Sequence, residues 1–297
     1  MTGLALIFPG QGSQQPGMAR PWSALPSYQR WSQADQVLGL DVSRLGTDAD
    51  AEELREPLNC QVALFVHHVV LLEAWRAANP DATVALTAGH SLGEYDALVA
   101  AGVLDFADAL RLVEVRAKAT QAAAEGSPGT MIAALGFEAD RVTQACQTAG
   151  AHVANDNAVG QITISGTIAQ LDQVKELLAQ GKGKVRDIPV GAAYHSPLMA
   201  AAVQPLGEAL DAAPFAEAGV PVVANVDAAV HTAAGDWPQL LRDQVTGPVR
   251  WRESVLTMRA AGVTDVVELG ATPVLTAMIK RIDRGIGRTA ITTPEEL

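Results

Sequence analysis

The chain is short of cysteine, of basic charge and of long apolar runs, and each scarcity removes a class of protein. Cys60 and Cys146 are its only cysteines, too few for a disulfide framework or a thiolate metal site. The six histidines fall at no metal-ligand spacing, and the adjacent His67 and His68 point to different sides of a helix, as packing or surface residues do. No metal is expected. Lys and Arg total 21 against 33 Asp and Glu, a net charge of −12. A nucleic-acid surface needs clustered cations to displace counterions, so none is expected. The longest apolar run, residues 62–75, is interrupted by His67, His68 and Glu73; it reads as a buried helix and not a membrane span. No basic segment precedes the short apolar run at residues 4–8, so no signal peptide is expected and a cytoplasmic location follows.

What is present is apolar content and one sharp motif. Hydrophobic residues make up 48% of 297, enough for one large domain or a large domain carrying an insertion. Directly after the apolar residues 84–86 comes Gly89-His90-Ser91-Leu92-Gly93. A serine between two such glycines marks a strand turning abruptly into a helix, which lifts its Oγ clear of the backbone and puts free helix N–H donors beside it. Ser91 is therefore a candidate nucleophile, the alternative being a serine that caps a helix.

Residues 4–8 read as a buried parallel strand ending in Pro9-Gly10-Gln11-Gly12-Ser13-Gln14, a loop at the strand end where open parallel sheets bind ligands. Residues 20–58 are mostly helical by pattern and carry no chemistry. Gln61 opens the apolar helix that follows. Asp105 is placed as the N-cap of a helix running to about residue 124, with Asp108 in the place of a capping-box acid. Within that helix Arg116 lies three and four residues after Val113 and Leu112, hence on or beside the buried stripe and not on the wet face. A guanidinium there needs an anion, either Glu114 or another acid, or a substrate carboxylate.

The texture changes at residue 126. Strands at 131–137, 152–156, 161–166 and 184–190, with helices at 138–148 and 168–179, spell βαββαβ, the ferredoxin-like order. The unit spans residues 127–193 and reads as an insertion into a large domain formed by 1–126 and 194–297. Beyond it come a strand at 221–226, a helix capped by Asp236, a helix at 252–261, a strand at 265–269 and a helix at 273–282, the alternation of a parallel α/β sheet. The acidic tail from Pro294 is expected to fray. A nucleophilic serine needs a base; His195, 104 residues on at a segment boundary, has rivals in His152, His231 and the His67-His68 pair.

The strings PGQGSQ (residues 9–14), GHSLGEYDALVAAGVLDFADALRLVEVRAK (89–118), YHSPLM (194–199), VRW (249–251) and VLTAMIKRI (274–282) together resemble the malonyl-CoA:acyl-carrier-protein transacylase family. The resemblance runs, in the family's order, from residue 4 to about 283. It implies a large α/β-hydrolase-like parallel-sheet domain with the inserted ferredoxin-like subdomain. It implies a Ser91-His195 dyad, an oxyanion hole from the backbone N–H groups of Gln11 and Leu92, and a substrate carboxylate held by Arg116 with Gln61. In place of a triad acid, the backbone carbonyl of Arg250 would orient His195, with Asn157 nearby as a second orienting residue. The implied partners are malonyl-CoA and an acyl carrier protein; the coenzyme A thioester is substrate, no cofactor is bound, and the chain would act as a monomer. Tyr194 stands where malonyl-selective relatives commonly carry Phe, so the acyl group could be a substituted malonyl. A serine thioesterase of α/β-hydrolase type, an acyltransferase for a non-malonyl group and a non-catalytic docking module are the competing readings. Fatty-acid synthesis, polyketide assembly and malonate decarboxylation are equally open as settings.

Overall fold

The structure, a computed structural model, describes residues 3–297. In chain order the elements are β1 (Gly3–Phe8), α1 (Gln29–Leu38), α2 (Val42–Thr47), α3 (Pro57–Ala78), β2 (Val84–Gly89), α4 (Gly93–Ala100) and α5 (Phe106–Gly126). There follow β3 (Thr130–Leu135), α6 (Ala139–Ala149), β4 (His152–Ala158), β5 (Gln161–Gly166), α7 (Ile168–Leu178) and β6 (Lys184–Ile188). The chain closes with α8 (Val203–Ala212), β7 (Val222–Val223), β8 (Val230–His231), α9 (Trp237–Thr246), α10 (Trp251–Ala260), β9 (Val263–Leu269), α11 (Leu275–Ile282) and β10 (Gly287–Ile291).

Two sheets result. The larger has the order β10-β9-β1-β2-β7-β8, parallel apart from the β7-β8 pair. Its central strand is apolar throughout because both of its faces are covered. Leu6 and Phe8 join the cluster under α3 and α5, while Ala5 and Ile7 join the one under α10 and α11. The smaller sheet, order β4-β5-β3-β6, is antiparallel and packs α6 and α7 on one face, the ferredoxin-like arrangement. The two are laced together by main chain. The Val249 N–H donates to the Ala154 carbonyl at 2.8 Å and the Asp156 N–H to the Val249 carbonyl at 3.0 Å, with Arg252 and Asp156 paired at 2.8 Å beside them.

Several local expectations are corrected. The strand expected over 221–226 is only two residues long, and β10, which sequence pattern misses, closes the sheet's other edge. The acidic tail is not frayed: Pro294–Glu296 forms a short 3-10 turn capped reciprocally by Thr293 and Glu296. Asp105 caps α5 through the Asp108 N–H, but the Asp108 carboxylate pairs with Arg111 instead of closing a capping box. Asp236 binds His231 and caps nothing. Helix α3 starts at Pro57, so Gln61 lies in its second turn. This helix is long and apolar enough to cross a membrane, yet 83% of its most apolar window is buried in the fold.

His67 and His68 are both wholly buried on α3. His68 has Asp96 at 2.9 Å, whereas neither ring nitrogen of His67 has a partner among the described residues. Burial, helped by the neighbouring His68, pushes His67 from 6.5 down to about 3. The folded protein thus refuses a proton that the unfolded chain accepts below its ordinary value, and stability falls as pH drops from there toward the folded value. The loss amounts to about 1.4 kcal/mol per pH unit for one such group. His67→Phe is therefore expected to lose about 2 kcal/mol less than the parent between pH 7 and 5, read by urea unfolding. Identical pH slopes for the two proteins would show that His67 does not contribute.

Candidate active site

The site forms at the carboxyl ends of β1, β2 and β7, where an open parallel sheet frees its strand-end loops. The turn from β2 into α4 is so tight that a Cβ on Gly89 would sit 1.8 Å from the Gly93 carbonyl oxygen. One on Gly93 would sit 2.1 Å from that of Phe8. Glycine is obligatory at both places, and Ser91 between them is held at φ 54°. His195 takes the same left-handed conformation at φ 56°. For residues with a Cβ this costs on the order of 1–2 kcal/mol each.

The two strained residues face each other, Ser91 Oγ lying 2.7 Å from His195 Nε2. His195 Nδ1 lies 2.9 Å from the backbone carbonyl of Gln244. A carbonyl can only accept, so Nδ1 carries the ring proton and Nε2 is left to accept from the Ser91 hydroxyl. Burial, and then the nearby Arg116 charge, hold His195 down to about 3. The imidazole is therefore in its basic form at neutral pH.

Two residues expected to orient His195 do not. The Arg250 carbonyl accepts from the Ser254 N–H at 2.9 Å and Oγ at 3.0 Å, because Arg250 is the N-cap of α10 and its carbonyl opens that helix. Gln244, in the last turn of α9 where carbonyls lack intrahelical partners, takes its place. Asn157 lines the same cavity, but its Oδ1 is 2.8 Å from His90 Nε2 and its Nδ2 donates to Thr163, so it steadies His90.

Arg116 is 5% exposed. Glu114 is not its partner but pairs with Lys118 at 2.7 Å on the wet side of α5. Among the described residues Arg116 meets neutral acceptors instead: Gln61 Oε1 at 2.5 Å, Ser91 Oγ at 3.0 Å and Gln244 Oε1 at 3.1 Å. Its Nε, and the Nε2 of Gln61, are buried without hydrogen-bond partners among the described residues. A cavity of about 180 Å³ opens beside these groups, lined among others by Gln11, Leu92, Met131 and Tyr194. Neither the Gln11 nor the Leu92 amide is engaged in a hydrogen bond among the described residues. Tyr194 also walls a second cavity of about 710 Å³, and burial raises its hydroxyl to about 12.

Sequence reasoning missed Gln244, Asn225 and Glu94. Asn225, just past β7, accepts from the Ser91 N–H at 2.6 Å and donates to the Gly89 carbonyl at 2.6 Å, fixing the elbow from beneath. Gln244 interrupts the buried stripe of Leu241 and Val245 on α9, the same signal that singled out Arg116.

Residues 5–289 match the family described as acyl transferase domain. A malonyl CoA-acyl carrier protein transacylase of Bacillus subtilis is 39% identical over 100% of this chain and 96% of its own length. The crystal structure of an acyl-carrier-protein S-malonyltransferase from Burkholderia pseudomallei superposes with a TM-score of 0.95 at 36% identity, covering 99% of this chain and 98% of that one. A malonyl-transacylase solved in complex with a type II polyketide-synthase acyl carrier protein gives a TM-score of 0.95 at 33% identity, over 99% and 97% of the two chains. With the serine elbow, the facing histidine and this likeness from end to end, the chain belongs to the acyl transferase family, among its malonyl-CoA:acyl-carrier-protein transacylases.

Proposed function

We propose that the protein moves a malonyl group from coenzyme A to the phosphopantetheine thiol of an acyl carrier protein, through an ester on Ser91. The observation that carries this reading is that Ser91 Oγ is held at once by the bare Nε2 of His195 and by the guanidinium of Arg116. His195 takes the Ser91 proton as Oγ attacks the thioester carbonyl, and the Gln11 and Leu92 amides receive the developing oxyanion. The carbon–sulfur bond then breaks, and the thiolate leaves with the proton carried by His195. The second leg reverses these steps with the carrier's thiol as nucleophile. Throughout, Arg116 and the free amide of Gln61 hold the malonyl carboxylate, which provides the anion that a buried guanidinium requires. On incubation with malonyl-CoA the intact mass is expected to rise by one malonyl group and to return on addition of holo-carrier protein. No mass increase, or rapid loss to water alone, would favour the thioesterase reading.

Carrier proteins of this kind are acidic, and so is this chain, so docking requires a local basic patch. Arg250 and Arg252 are spent on Glu253 and Asp156. Lys184 and Arg186 lie opposite Leu135 and Ala133 on β3, on the same face as Met131 and Thr163, which line the cavity. Arg281 reaches that face through Gln161 at 3.2 Å, and Gln161 lies two strands, or about 10 Å, from Lys184. Lys184→Glu combined with Arg281→Glu is expected to raise KM for carrier protein roughly tenfold while sparing acylation by malonyl-CoA. Equal loss in both half-reactions would place the carrier elsewhere.

A further inference from the structure

We infer that Glu94 is a positioning residue for acyl-group selection, holding the side chain of Gln244 in the one orientation that presents an acceptor to Arg116. This rests on the transfer reaction proposed above. Glu94 is wholly buried in the first turn of α4, three residues beyond the nucleophile. One carboxylate oxygen accepts from the Asn225 N–H at 2.8 Å, and the other accepts from Gln244 Nε2.

The logic is that of an amide with two unlike ends. A carboxylate offers acceptors alone, so Gln244 must turn its NH2 toward Glu94, and there it also reaches the Ser91 carbonyl at 3.0 Å. Its Oε1 is thereby forced to the other side, where it accepts from Arg116 at 3.1 Å. If Gln244 were reversed, its NH2 would confront the guanidinium, donor against donor. The hydrogen bond from His195 goes to the backbone carbonyl of Gln244 and does not depend on which way the side chain points. Glu94 therefore acts on Arg116, and hence on the choice of acyl group, while the contact of His195 with the Gln244 carbonyl stays in place.

Glu94→Gln makes the test sharp. The new amide can still accept from Asn225, but its NH2 then faces that of Gln244, which is driven to reverse. The expected result is a fall in kcat/KM for malonyl-CoA of roughly tenfold or more, with acetyl-CoA changed less than about threefold. Gln244→Met, which removes the same acceptor, should likewise lower the malonyl-to-acetyl ratio of kcat/KM, whatever it does to the overall rate, and the double variant should shift that ratio no further than the worse single one, as expected of two residues acting in one chain. Should Glu94→Gln not fold, the pH dependence of the parent's malonyl-to-acetyl ratio, and its absence in Gln244→Met, test the role of Glu94.

Acidity gives an independent readout. Burial raises Glu94 to about 7, with the charged groups Arg116 from α5 and Asp227 from the loop after β7 facing it. Its protonated form gains a donor and permits Gln244 to reverse, so the malonyl-to-acetyl ratio is expected to fall below that pH in the parent and to stay flat in Glu94→Gln. Equal losses for both acyl groups, additive losses in the double variant, or a ratio with the same pH dependence in both proteins would overturn the inference. A parent protein unable to transfer malonyl would instead overturn the reaction on which it rests.

Discussion

Replacing Ser91 by alanine is expected to abolish the malonyl-enzyme and to lower transfer by on the order of 10⁴-fold or more. Alanine keeps the Cβ and so keeps the left-handed strain at φ 54°, leaving the elbow's backbone bonds to Asn225 and Gln244 in place. What disappears is the one oxygen that His195 and Arg116 both reach. Intact-mass analysis, paired with a thermal melt showing the fold retained, is the measurement. A malonyl adduct persisting on the alanine variant would falsify Ser91 as the acylated residue.

The second large effect concerns Arg116. The fold buries its guanidinium without a carboxylate partner among the described residues, against the cost of isolating a charge, and surrounds it with three neutral acceptors. On the proposed function a malonyl carboxylate would be held bidentately there, a geometry that lysine does not reproduce. Arg116→Ala is expected to reduce kcat/KM for malonyl-CoA by tenfold or more, about 1.4 kcal/mol at least, while acetyl-CoA is unaffected or improved because a standing penalty against neutral acyl groups has gone. Removing the charge also removes a contribution that holds His195 low, so the base should titrate at a higher pH in this variant. If malonyl and acetyl transfer fell together in a folded protein, Arg116 would be a structural residue and the dicarboxylic assignment would lose its support.

How much of this was legible follows from where each signal resides. β1 could be read because burial of both faces makes it apolar without interruption. β10 could not, since Gly287–Ile291 is an edge strand of mixed polarity that resembles a loop. Ser91 and Arg116 announced themselves through local spacing, one between close-packed glycines and the other on a buried stripe. His195 could not be separated from its rivals by spacing alone, and resemblance was needed to select it. The acceptor for its Nδ1 was assigned to the wrong residue for a deeper reason: it is a main-chain carbonyl, which every residue possesses, so the side chain carries no mark of the role. Gln244 and Glu94 act across 150 positions of sequence, a distance over which only the fold connects them.

The main-chain bonds joining Val249 to Ala154 and Asp156 bear on how the site could change over evolutionary time. They join the two walls of the cavity as one continuous framework. On the function proposed above, selectivity would rest on a few side chains, Arg116 and Tyr194 among them, that project from this framework into the cavity. A lineage adopting a different acyl donor would need to exchange one or two of these and could leave the elbow, the histidine and the lacing untouched.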